Sequence, residues 1–323
     1  MERDGRAIES CWKNVDEHPG RKEIPVRTTT RLLCVAVCLI VGMLPCYAGE
    51  SGGRTEGSVV ERVYKRTPQG DLKIYLHFPR DWKKSDKRPG MIFFFGGAWI
   101  KGSPAQFIPQ AEYFAGRGMV TARADYRVKV SPVVCVEDAK SAVRWFRAHA
   151  SELGLDPGRI VGAGGSAGGH LAACAAMTDT QNAKGEDGAV SSKPNVMVLF
   201  NPVVIMSEQI AQKVGAVVSP EEAKQISPIV HMKKDTPPAI LFYGTKDQFL
   251  AQGRAFLAKS KEIGNRVEVY SAEGQPHGFF NRSPWTEVTM RQADEFLVSL
   301  GYLKGKPTVT LSATTTATLK IEE

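Results

Sequence analysis

One segment of the 323-residue chain places a serine where it could act as a nucleophile. Residues Gly162-Ala163-Gly164-Gly165-Ser166-Ala167-Gly168-Gly169 contain a single G-x-S-x-G pattern. In a chain with 31 glycines the pattern is weak evidence alone, so its surroundings carry the argument. Arg159-Ile160-Val161 is a strand leading in, and Leu171 to Ala176 is a strong helix leading out. A serine on such a strand-to-helix turn is forced into a strained conformation, and only small neighbours at the glycine positions avoid clashing with it. The helix start also leaves the Ala167 N–H beside the serine, free to bind a developing oxyanion. The competing reading, a phosphate-binding loop, calls for a Lys or a G-x-G-x-x-G with an acidic residue about twenty positions on. No such Lys is present.

A serine needs a base, and a carboxylate to orient that base. Of six histidines, His18 falls in the leader described below, His77 in an expected edge strand and His149 on a helix exterior. His170 lies four residues after Ser166 on the same helix and points into the body. His231 falls in a region expected to cap the site, where a surface role is the default. His277 differs, because Gln275-Pro276-His277-Gly278-Phe279 is a loop directly after the last long strand. Loops at the C-terminal edge of a parallel sheet are where such folds build their sites. Asp247 follows the strand Ile240-Leu241-Phe242-Tyr243 in the same way. Asp125 and Asp138 precede the serine and are read as structural, pairing with nearby Arg or capping a helix. Cys135 and Cys174 fall in helical patterns as buried thiols, with a disulfide between them as the alternative.

A second oxyanion donor is expected from an earlier loop, and Phe93-Phe94-Phe95-Gly96-Gly97-Ala98-Trp99 fits: an apolar strand ending in two glycines. With these residues the chain resembles the α/β-hydrolase superfamily. It is most similar to the esterase branch with an H-G-G-G-W type oxyanion loop, home to hormone-sensitive-lipase-like carboxylesterases and secreted acetyl and feruloyl esterases. The likeness runs from about residue 59 to 303, and the order Ser166, Asp247, His277 is the one that fold uses. The resemblance implies oxyanion donors at Gly97, Ala98 and Ala167, with Trp99 and Phe279 flanking the site as pocket or core aromatics. The chain departs from the pattern at Phe95, where the family has a histidine that holds the loop by hydrogen bonds. Phe95 is therefore expected to hold it by packing alone.

The elements that must position these residues alternate from about Ser58 onward. Strands are expected at Val59–Tyr64, Lys73–Phe78, Met91–Phe95, Met119–Ala124, Ile160–Ala163, Asn195–Phe200, Ala239–Tyr243 and Arg266–Tyr270. Helices are expected through Ala139, Ala142, Val143, Phe146 and Ala150, ended by Gly154, and at Leu250–Ile263 and Thr286–Leu300. Such alternation predicts an α/β fold, a mostly parallel sheet with helices on both faces, with an antiparallel pair at one edge. The catalytic domain spans 58–303 and 207–236 is its expected cap. Residues 304–323 form a Thr-rich tail, read as mobile, with a stray strand within Thr308–Ile321 as the alternative.

Ahead of this lies a leader. Arg27 and Arg31 precede a thirteen-residue apolar run, Leu32 to Leu44, followed by Pro45-Cys46-Tyr47-Ala48. A basic flank, a short apolar run and a small residue predict a secretory signal over 1–48, cleaved near Ala48 to export the protein. The run is short of the ~20 residues a bilayer span needs. The net charge of +8 is spread along the chain, with no basic block interleaved with aromatics, so a dedicated nucleic-acid binder is excluded. No His or Cys cluster has metal spacing, and the chemistry calls for no metal or organic cofactor. The expectation is a serine carboxylesterase acting on short acyl esters of a small molecule or carbohydrate, acetyl groups on polysaccharide foremost, with no stable membrane span. The alternatives are a peptidase or formamidase with the same triad, and a non-catalytic binding protein on the same fold.

Overall fold

Short apolar runs punctuated by turns build one nine-stranded sheet. In the computed structural model, which describes residues 59–323 apart from 214, the strands are β1 (Val60–Thr67), β2 (Gly70–His77), β3 (Arg88–Phe94), β4 (Val120–Ala124), β5 (Leu155–Gly165), β6 (Val196–Phe200), β7 (Ala239–Gly244), β8 (Val267–Ala272) and β9 (Leu319–Ile321). The leader expected over 1–48 lies outside the described residues. Spatial order is β1-β2-β4-β3-β5-β6-β7-β8-β9. Strands β3 to β8 are mutually parallel, while β1 and β2 pair antiparallel at one edge and β9 pairs antiparallel with β8 at the other. This is the α/β-hydrolase architecture.

The helices are α1 (Ile108–Gly116), α2 (Pro132–Ala148), α3 (Ala150–Leu153), α4 (Ala167–Met177), α5 (Glu208–Lys213), α6 (Pro220–Gln225), α7 (Leu250–Ile263) and α8 (Trp285–Ser299). The sheet's two-residue period sorts its side chains between two cores. Ile92, Phe94, Met197, Leu199 and Leu241 join a core with residues of α2, α4 and α7. Their neighbours Met91, Phe93, Val198, Phe200 and Phe242 join another with α1 and α8. Helix α2 begins at Pro132, seven residues before its apolar periodicity is plain, because Ser131 caps it and proline suits the first turn. Gly154 ends α3 at φ 64°. Within 207–236, α6 opens with a full capping box between Ser219 and Glu222, and Ala223 and Ile226 are buried in the α4-side core.

One expectation is corrected and two open alternatives are decided. Strand β2 has β1 on one side and β4 on the other, so His77 is buried, accepting from Arg123 Nε at 2.9 Å, rather than at an edge. Cys135 and Cys174 are free and buried, and burial pushes both thiols up, so the disulfide alternative does not hold. The tail from Lys304 does not stay loose to its end. Leu319–Ile321 pairs with the edge of β8, Glu322 N–H donates to Val269 O at 2.8 Å, and Arg254 binds the Glu322 carboxylate at 2.7 Å. An unpaired strand edge offers hydrogen bonds that even three residues can take up.

Two buried histidines tie the fold's stability to pH. Burial pushes both His77 and His170 down to about 4, with the Arg123 charge adding to the effect at His77. An unfolded chain, with histidines near the ordinary 6.5, therefore binds more protons between about pH 6.5 and 4. The stability tied to these neutral rings is complete above that window and lost as pH falls through it, by up to about 1.4 kcal/mol per pH unit for each ring. Urea unfolding should show stability falling from pH 7 to 4.5, and falling less steeply in His77→Asn. An equal slope in the variant would rule out His77 as a source.

Candidate active site

β5 ends at Gly165 and α4 begins at Ala167, leaving Ser166 as the turn. Its backbone sits at φ 53° and ψ −117°, a region that costs a residue with a Cβ about 1–3 kcal/mol. Hydrogen bonds hold it from both sides: Ser166 N–H donates to Phe200 O at 2.8 Å, and Ser166 O accepts from His170 N–H at 2.9 Å. Packing completes the constraint. A Cβ on Gly168 would lie 2.0 Å from Phe94 O, and one on Gly164 would lie 2.4 Å from Gly168 O. The start of α4 thus rests directly on the end of β3, with no room for a side chain between.

His277 stands on the loop after β8, and Asp247 on the loop after β7. The two loops are joined by their backbones, with Lys246 N–H donating to Gln275 O at 3.0 Å and Thr245 N–H to Ala272 O at 2.9 Å. The Asp247 side chain is fully buried; its Oδ1 accepts from Phe249 N–H at 2.9 Å, which aims Oδ2 at His277 Nδ1, 2.8 Å away. His277 Nε2 lies 2.8 Å from Ser166 Oγ. With the carboxylate ionised, Nδ1 carries the proton and Nε2 is free to accept one from the serine. The imidazole remains 34% exposed, so a reactant can reach it. Asn201 and Phe249 complete its surroundings. Asn201 Nδ2 is 3.4 Å from Nε2, and the Phe249 ring meets the imidazole edge-on at 5.4 Å.

The loop after β3 lies against the serine, since a Cβ on Gly96 would sit 3.4 Å from Ser166 Cβ and 2.9 Å from Gly165 O. Gly97 turns at φ 132°, where a Cβ would strike Lys101 O at 1.9 Å, and Ala98 and Trp99 follow at φ 57° and 62°. Among the described residues, the N–H groups of Gly97, Ala98 and Ala167 have no hydrogen-bond acceptor. Three N–H groups around one hydroxyl can take up the charge of a tetrahedral oxyanion. At the far end of α4, the buried Lys140 Nζ donates to Thr178 O and Thr180 O, placing a cation where the helix dipole is negative.

Phe95 does not hold this loop by packing alone, as the sequence leads one to expect. Its ring stacks on Tyr126 at 4.1 Å, but Tyr126 OH also donates to Phe95 O at 2.8 Å. Gly96 N–H donates to Gln106 Oε1 at 2.6 Å. Both ends of the Phe95–Gly96 peptide are therefore held by side chains, an anchorage in place of the one a histidine at 95 would give. Of the two readings open for the flanking aromatics, the structure takes the core one. Trp99 is 2% exposed, edge-on to His170 at 5.2 Å, and Phe279 is 3% exposed against Trp285, so both are core side chains in separate clusters. His170, as expected, points away from the serine and bonds Ile226 O at 2.7 Å. Asp138 is locked by Arg127 and Lys65, both at 2.7 Å. Sequence reasoning missed Asn201, Phe249 and Gln106. Asn201 ends a parallel strand, the kind of position searched for carboxylates but not for amides; Gln106 has no comparable signal.

The family model described as BD-FAE matches residues 72–261, more than half of the chain. The chain belongs to the BD-FAE family. Among solved structures, this BD-FAE member is similar to Thermogutta terrifontis esterase 2 phosphonylated by sarin, at 45% identity and a TM-score of 0.74, covering 77% of this chain and 98% of that one. The same esterase with butyrate bound gives 46% identity and a TM-score of 0.72 over 77% of this chain and 96% of that one. Esterase LipC of Mycobacterium tuberculosis is 29% identical over 61% of this chain and 56% of its own. The chain spans about half the length of the curated relatives it matches.

Substituting Gly96→Ala should push the loop off Gly165 O and Ser166. A displacement near 1 Å at such a site costs roughly 10²-fold in rate. Labelling of Ser166 by a fluorophosphonate should slow by about that factor with the melting temperature little changed. Unaltered labelling would mean that the loop's approach to the serine is unimportant.

Proposed function

We propose that this chain is a serine carboxylesterase for short acyl esters, exported after cleavage of its leader near Ala48. The observation that carries the reading is the unbroken run from buried Asp247 through His277 to Ser166, each step 2.8 Å, beside three unengaged N–H groups. Ser166 Oγ attacks the ester carbonyl while His277 Nε2 takes its proton. Asp247 keeps the imidazole in the tautomer this requires and stabilises its cation. The N–H groups of Gly97, Ala98 and Ala167 bind the oxyanion. His277 then protonates the departing alcohol, leaving an acyl-Ser166. Water, giving its proton to His277, attacks that acyl group through a second oxyanion, and the carboxylic acid leaves as the proton returns to Ser166.

Short acyl chains are supported by the relative of 45–46% identity, which has been seen with propionate and with butyrate bound. In this reading Phe249, edge-on to His277 at 5.4 Å, borders the acyl side. For the alcohol side we favour a carbohydrate, and the support is a cleft of about 550 Å³ lined by Glu273, Trp285, Ser312 and Thr314 to Thr318. Because Leu319 pairs opposite Ala272, this Thr-rich stretch borders the sheet edge that carries His277. Hydroxyls, a carboxylate and an aromatic ring suit a sugar.

The protein lacking residues 1–48 should hydrolyse p-nitrophenyl acetate and butyrate well and the octanoate poorly. Ser166→Ala should lose about 10⁴-fold or more in kcat/KM. Equal rates in the two proteins would overturn the assignment of Ser166. Release of acetate from acetylated xylan tests the carbohydrate, and fractionation of cells making the full chain tests export.

A further inference from the structure

The oxyanion loop and the histidine loop come from distant parts of the chain, yet a continuous line of hydrogen bonds joins them. Gly96 N–H donates to Gln106 Oε1 at 2.6 Å, and Gln106 Nε2 donates to Asn281 Oδ1 at 3.0 Å. Asn281 Nδ2 donates to Gly278 O at 3.0 Å, and Gly278 N–H donates to Asn201 Oδ1 at 3.1 Å. The orientation of each amide in the span between Gly96 and Gly278 is forced. Gly96 N–H can only donate, which turns Gln106 Oε1 toward it and Nε2 toward Asn281. Gly278 O can only accept, which turns Asn281 Nδ2 toward it and Oδ1 toward Gln106. Flipping either amide would break two bonds at once.

The scaffold beneath holds the two amides opposite each other. Gln106 belongs to a single tight turn, Pro104–Phe107, capped by Ser103. Its neighbour Phe107 is 1% exposed and stacks on Phe280, the neighbour of Asn281, at 5.8 Å and 17°. Phe107 also stacks on Phe93 of β3 at 5.2 Å. Core packing thus fixes where each carboxamide stands, and the amides carry that placement to the two loops. The bonded groups are next to working ones: Gly96 precedes the donors at Gly97 and Ala98, and Gly278 follows His277.

We propose that Gln106 and Asn281 are positioning residues forming a carboxamide strap that sets the distance between the oxyanion donors and the general base. The strap does for this chain what a histidine at position 95 would do, and adds a link to the histidine loop. The proposal rests on the esterase reading above. Neither residue touches the reacting atoms, so its effect belongs in kcat rather than KM.

The test uses Gln106→Ala, Asn281→Ala, the double variant and Gln106→Glu, assayed with p-nitrophenyl acetate and melted in parallel. Each single alanine variant should lower kcat about 10- to 100-fold, with KM within about twofold and the melting temperature within a few degrees. The double variant should be no worse than the weaker single, because one strap can be cut only once. Gln106→Glu keeps the acceptor for Gly96 but sets a carboxylate oxygen against Asn281 Oδ1, so it should resemble Gln106→Ala. Losses that multiply in the double variant, a wild-type kcat in Gln106→Glu, or a change confined to KM would overturn the strap. If the unaltered chain hydrolyses no ester, the esterase reading fails, and hydrogen exchange decides the strap separately. Asn281→Ala should then speed exchange at the Gly96 amide about tenfold, although Asn281 does not contact Gly96. Unchanged exchange there would overturn it.

Discussion

The backbone of Ser166, held at φ 53° between β5 and α4, is the constraint from which the rest of this edge of the molecule follows. A strained residue persists only where its surroundings over-determine it. Here a strand on one side supplies Phe200 O, a helix on the other supplies His170 N–H, and β3 presses Phe94 O where Gly168 has no Cβ. Those contacts require β3, β5 and β6 to be neighbours in the sheet, as they are. They also require the helix axis to leave at one angle, which points the free N–H of Ala167 at the hydroxyl's own neighbourhood. The strained Ser166 and the unengaged Ala167 N–H are therefore two outcomes of one turn.

Electrostatics reinforces this at both ends of α4. Its first turn presents unengaged N–H groups, while Lys140 closes its last turn from within the core. Burial pushes that amine down to about 8, yet at neutral pH it still carries most of its charge. The base side is built on a different rule. Asp247 is fully buried and His277 one-third exposed, so the carboxylate is shielded while the imidazole bonded to it is accessible. Backbone bonds between the β7 and β8 loops hold the pair together without involving either side chain.

Much of this was legible in the sequence, and the reasons are physical. Parallel strands buried on both faces are continuous apolar runs, so the sequence places β6 and β7 to within a residue at each end, while β3 starts earlier than its apolar run. Ser166, Asp247 and His277 stand out as candidates because each follows such a strand, and the structure brings the three together. Helix α1 has no counterpart in the sequence reading; its Pro109 lies in the first turn, where proline obstructs nothing. The choice between pocket and core for Trp99 and Phe279 stays open in the sequence because adjacency to a site says little about which way a large ring packs. Gln106 and Asn281 lie 175 positions apart and are meaningful only as a pair, which a single sequence does not display. Phe95 shows the same limit: the missing histidine is visible, whereas the Tyr126 and Gln106 bonds that stand in for it depend on three-dimensional proximity.

The short strand β9 bears on how this protein can be handled. Without Leu319–Ile321, the outer edge of β8 would present a row of bare N–H and C=O groups to solvent, ready to pair with the same edge of another molecule. The Thr-rich stretch before it then acts as a tether of fixed length that delivers a three-residue plug. A shortened version ending near residue 303, attractive because it drops a low-complexity tail, would exchange a three-residue edge strand for the longer bare edge of β8.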